Sequence, residues 1–105
     1  MSDRELLELA AKAAGIEVFW HSGWNLLVIE RTHRAWNPLT DDGDALRLAV
    51  KLRIEIIPDL QVNEVLTAFM VGSYGYNTAE EIGTDPLAAT RRAIVRAAAE
   101  IGKGV

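Results

Sequence analysis

Apolar positions recur at helical spacing in three stretches of the chain and in alternating or continuous runs in two others. In the first helical stretch Leu6, Leu9, Ala10 and Ala13 share a face, opposite Arg4, Glu5, Glu8 and Lys12. Ser2 with Glu5 three positions later spells a capping box, and Gly15 supplies a left-handed closing residue with Ile16 as its apolar partner. EVFWHSGWNLLVIER (17–31) then gives two β-rich runs about a Ser22-Gly23 turn, a predicted hairpin. Its second run is apolar on both faces, which implies a sheet covered on both sides or covered on one and used at an interface on the other. Asn37-Pro38 is a turn.

The second helix opens with Asp41 as N-cap and runs to Leu52. Asp44, Arg47 and Lys51 form a narrow polar stripe, while Ala45, Leu46, Leu48, Ala49, Val50 and Leu52 fill the rest, so this helix is expected to be largely buried. RIEIIPDLQVNEVLTAFMV (53–71) reads as a second hairpin turning near Asn63-Glu64, with Pro58 marking an edge. GSYGYNTAEEIG (72–83) reads as a loop. Asp85 caps the last helix, Pro86 takes its first position, and Gly102 lies near its end. The expected order is α-β-β-α-β-β-α: an α+β fold, an α-β-α layered sandwich with a mainly antiparallel sheet in a single domain spanning 1–105.

Composition narrows function by exclusion. Half of the 105 residues are apolar and a quarter charged, the balance of a globular domain. With no cysteine there is no disulfide framework, thiolate zinc site or cysteine nucleophile, which fits a reducing cytoplasm. The acidic, amphipathic start is not a signal peptide, and no apolar run is long enough to span a membrane. Net charge is −4, with 15 acidic against 11 basic residues, so nucleic acid is not an expected partner.

The densest candidate chemistry is WNPLTDDGDALRLAVKL (36–52), where Asp41, Asp42 and Asp44 crowd around a glycine. Acidic side chains in a first helical turn accept from free backbone N–H groups and face the positive end of the helix dipole. The alternating spacing of a calcium loop is absent, whereas magnesium asks for only one or two carboxylates and stays open. Arg91 falls on the same arc as Leu87, Ile94, Val95, Ala98 and Ile101, unlike Arg92, Arg96 and Glu100. Buried charge must be paired, and the aspartate cluster is its most economical partner; a ligand is the alternative. Trp20, Trp24 and Trp36 carry core or rim mass, and Tyr74 and Tyr76 pack on their own domain or stack on a flat ligand. His21 and His33 make no metal pair, Ser22 and Ser73 lack a nucleophile elbow, and no catalytic set or cofactor is expected.

DRELLELAAKAAGIE, WNPLTDDGDALRLAVKL and DPLAATRRAIVRAAAEIG together resemble the small phage and prophage proteins of the phage ABA sandwich domain family. The resemblance covers about half the chain, both ends and the middle helix, and leaves out the hairpins. It implies an α-β-α layered domain of phage origin working in the host cytoplasm, and carries over no activity or catalytic residue. The expectation is a non-enzymatic accessory protein that binds a host protein, with homodimerisation expected from apolar surface at 24–29 and 65–71. The alternatives are a binder of a small nucleotide signal, drawing on Tyr74, Tyr76, the tryptophans Trp20, Trp24 and Trp36 and Arg91 or Arg92, or a metal-dependent enzyme at Asp41, Asp42 and Asp44.

Overall fold

The computed structural model describes residues 1–105. Helix α1 (Asp3–Ala14) starts at Ser2, whose hydroxyl oxygen accepts from the Glu5 N–H at 3.2 Å. The Glu5 carboxylate answers by accepting from the Ser2 hydroxyl at 3.1 Å, rather than from the backbone N–H of a standard capping box. Gly15, at φ 69°, closes the helix, and the Ile16 N–H reaches back to the Ala11 carbonyl at 2.9 Å. The buried stripe is Leu6, Leu7, Ala10, Ala11 and Ala14, turned slightly from the face that spacing suggests.

Strands β1 (Val18–His21) and β2 (Leu26–Ile29) form the first antiparallel hairpin, with Asn25 at φ 55° in its turn. The following segment lies back along β2, where Ala35 bridges Val28 and the Trp36 N–H donates to the Leu27 carbonyl at 3.0 Å. Leu27 and Trp36 reach the main core, and the Arg4 guanidinium of α1 sits 4.5 Å over the Trp20 ring.

Helix α2 (Asp42–Leu52) buries Asp44, Ala45, Leu48 and Ala49, but Leu46 and Val50 are 61% and 71% exposed. The expectation of a largely buried α2 therefore fails. Its apolar residues outnumber the positions that one helix neighbour, α3, and a little of α1 can cover. Arg53 closes α2 in the left-handed region at φ 56°.

Strands β3 (Glu55–Asp59), β4 (Glu64–Val71) and β5 (Tyr74–Glu81) make a separate antiparallel sheet in that order. Pro58 does lie on an edge strand. The predicted loop at 74–81 is a strand instead. Gly72, at φ 62°, opens a two-residue turn, and eight residues of β5 pair with β4. Val65, Thr67 and Phe69 bury the inner face of the sheet, with the Thr67 and Thr78 hydroxyls bonded across the strands.

Helix α3 (Pro86–Lys103) is capped by Asp85, whose carboxylate accepts from the Ala88 N–H at 3.0 Å. It contacts α1, α2, β4 and β5, and so joins the helical layer to the sheet. Ala89 and Ala93 meet Val65, while Ile94, Val95, Ala97, Ala98 and Ala99 enter the main core. Leu87, expected on the inner face, is exposed in the first turn. Near the other end, a Cβ placed on Gly102 would lie 2.1 Å from the Leu9 carbonyl oxygen, so α1 and α3 touch backbone to backbone. The fold is α+β, with three helices and antiparallel sheets in the order α-β-β-α-β-β-β-α. No helix is long and apolar enough to cross a membrane.

Candidate functional site

The three aspartates at the start of α2 divide between two cations: Asp41 and Asp44 share Arg47, at 3.8 and 2.8 Å, and Asp42 takes Arg91. Asp41 is the N-cap and accepts from the Asp44 N–H at 2.8 Å. Asp44, buried, accepts from the Asn37 N–H at 3.0 Å and from Arg47 Nη2 at 2.8 Å. Asp42 turns to α3, where its Oδ1 meets Arg91 Nη1 at 2.6 Å. Arg91 Nε also donates to the Leu39 carbonyl at 2.8 Å, tying the loop before α2 to the last helix. Only Asp42 turns away from the other two, and no group of three or more His, Cys, Asp or Glu side chains is placed to hold a metal ion. The Arg47 guanidinium folds back over Gly43, whose absent side chain leaves it room.

The other sequence candidates separate. Trp36 and Asp44 line one cleft, together with residues that carry no motif: Ile16 and Ile29 as apolar wall, and Arg31, Arg34 and Lys51 at the rim. Arg47 and Leu48 of α2 complete that side, with Glu17 facing them from the chain after α1. The polar stripe Asp44, Arg47 and Lys51 was readable as helical spacing. Its convergence with the RTHR segment (31–34) depends on how the chain after the first hairpin lies against α2, where the Asn37 N–H meets Asp44, and spacing does not encode that. Tyr74 and Tyr76 are elsewhere, on β5, where Tyr76 stacks on Phe69 at 6.0 Å between ring centroids. Trp24 stacks on His21 at 4.1 Å and closes the first hairpin.

A second feature was hidden by misreading β5. Strand register places Ile57, Leu66 and Ala79 abreast on the outer face of the three-stranded sheet, with Ala68 and Met70 further along β4. No helix covers this face: Ile57 is 45% and Met70 57% exposed. At one end Asp59, Glu64 and Glu81 stand directly opposite one another across the strands, and Glu55 lies on the same face. None of these carboxylates is in an ion pair. Glu80, one residue away but on the inner face, is held by Arg92 at 3.8 Å and Arg96 at 3.3 Å. Like charges directly opposite in a sheet destabilise it, and within the fold the row has only the Gln61 N–H, which donates to Asp59 at 3.0 Å, and no cation to offset that cost.

Comparison with family models, with curated proteins and with solved structures finds no match to this chain.

Proposed function

We propose that this chain is a phage or prophage accessory protein that works by binding a basic, amphipathic surface of a host protein on the outer face of its three-stranded sheet. The observation that carries the reading is the pairing of an uncovered apolar strip (Ile57, Leu66, Met70) with an unneutralised row of carboxylates (Asp59, Glu64, Glu81). Exposed apolar surface rimmed by charge marks interaction sites, and complementary charge supplies orientation and rate of encounter. Lys or Arg side chains from a partner would remove the like-charge repulsion while its apolar residues covered the strip. A second copy of the chain suits this face less well, since it brings no basic row to set against the carboxylates. The resemblance to phage proteins supplies the host context, and the engagement is proposed as non-enzymatic, in the host cytoplasm.

The test is affinity capture from a bacterial lysate with the parent protein and with Glu64→Lys/Glu81→Lys, half-buried and exposed positions of the outer face that leave the inner face intact. A discrete basic protein held at micromolar concentration by the parent and lost by the variant is the expected result. Equal capture by both would sink the reading, as would no specific capture at all. A dimer seen by sedimentation and abolished by Met70→Asp would give the face to a second copy instead.

A further inference from the structure

The cleft between the first hairpin and α2 is a different kind of surface, and we infer that it binds a nucleotide-sized organic phosphate. Its volume is about 650 Å³, inside the range of roughly 300–1,000 Å³ typical of small-molecule sites. In a protein of net charge −4, four basic side chains (Arg31, Arg34, Arg47 and Lys51) converge on this one concavity, against Glu17 and Asp44. Asp44 is already matched by Arg47 and by the Asn37 N–H. Arg31, Arg34 and Lys51 have no carboxylate partner. They come from two elements, one from α2 and two from the segment after β2, so the tertiary fold and not a local charge run assembles them.

The chemistry of the lining selects the ligand. Unpaired cations on several sides suit an anion bearing more than one negative charge, and the guanidinium forks of Arg31 and Arg34 match phosphate oxygens in pairs. The wall between them is apolar, presented by the half-buried Ile16 and Ile29, with Leu48 and Trp36 almost wholly buried at its lining. That wall offers nothing to inorganic phosphate but would cover the flat body of a nucleoside. Lys51 sits in the last turn of α2, where its charge favours the helix dipole and it stays exposed, free to close on a ligand. The cleft shares none of the proposed docking residues of the sheet, so the two sites can be tested apart.

The experiment titrates the full chain with ATP, GTP, their monophosphates and cyclic dinucleotides, with inorganic pyrophosphate as the bare-anion probe. Calorimetry and thermal melting are the readouts. At least one nucleotide is expected to bind with Kd below about 100 µM and to raise Tm. Pyrophosphate should bind at least about tenfold more weakly, because it forgoes the apolar wall. Arg34→Ala/Lys51→Ala removes exposed side chains that have no ion-pair partner, so it should melt within about 4 °C of the parent, the loss of Lys51 from the helix end included, and lose affinity about tenfold or more. Glu64→Lys/Glu81→Lys should bind the nucleotide as the parent does. No nucleotide binding near 1 mM overturns the assignment. So does unchanged affinity in the cleft variant, or pyrophosphate binding as tightly as the nucleotides.

Discussion

Replacing Arg91 by alanine breaks the contact that joins the start of α2 to α3. Its guanidinium donates to the Leu39 carbonyl at 2.8 Å and meets Asp42 at 2.6 Å. A pair buried on both sides would cost about 3 to 5 kcal/mol to break, because it leaves a stranded charge. Here the two sides are unequal: the Arg91 side chain is 17% exposed and that of Asp42 66%. Freed Asp42 simply rehydrates, so its share is that of an exposed pair, below about 1 kcal/mol. The charged hydrogen bond to Leu39 contributes about 1.5 kcal/mol, since that carbonyl lies in a half-buried loop. Arg91→Ala should therefore destabilise by about 2 kcal/mol, or lower Tm by about 8 °C for a chain of this size. Urea denaturation followed by tryptophan fluorescence reads the first figure directly. Asp42→Asn should cost under about 1 kcal/mol, and the Arg91/Asp42 cycle should show coupling of the same small size. Arg92→Ala, whose bond to Glu80 is long at 3.8 Å and backed by Arg96, should change little. If Arg91→Ala melts with the parent, or if Asp42→Asn costs as much as Arg91→Ala, the account of the loop carbonyl as main partner is wrong.

Gly102→Ala should be among the most damaging small changes, costing more than about 2 kcal/mol by chemical denaturation, because its methyl would meet Leu9 backbone, which cannot yield without parting two helices. Arg53→Gly should stabilise by up to about 1 kcal/mol in the same assay, since Arg53 holds φ 56° with a side chain that disfavours it. Asp41→Ala removes the cap of α2 and should cost about 1 kcal/mol. Glu81→Lys should raise stability by up to about 1 kcal/mol, by thermal melting at low salt, through breaking the outer row of like charges.

What the sequence made legible follows from how local each signal is. Ser2, Gly15, Asp41, Asp85 and Pro86 act within one turn of their own helix, and each sits where spacing puts it. The pairing of Arg91 with the aspartates was readable because a charge on an inner arc must find a partner. The choice of Asp42 among three was not, since it depends on how α2 and α3 cross. Strand β5 escaped because Tyr74, Gly75, Tyr76, Asn77 and Thr78 have turn composition, and their extended form comes from the ladder with β4. Leu46, Val50 and Leu87 have helical spacing suited to burial and remain exposed. Periodicity says which residues share a face, and it says nothing about whether a neighbour exists to cover it. The cleft was hidden for the same reason, being made by elements distant in sequence.

The backbone contact between α1 and α3 also has a consequence during synthesis. Of the helices, α1 leaves the ribosome first and its main partner leaves last. An isolated helix of 12 residues is marginal in water, and Leu6, Leu7, Ala10, Ala11 and Ala14 have little to bury against until α3 emerges. The strand pairings are local in sequence and can begin to form earlier, although their inner faces too are covered only when α3 arrives. Folding is then held open by its most non-local step, and the nascent chain presents an unpaired amphipathic segment for most of its translation. That is the interval in which chaperone capture or premature association competes with the native fold.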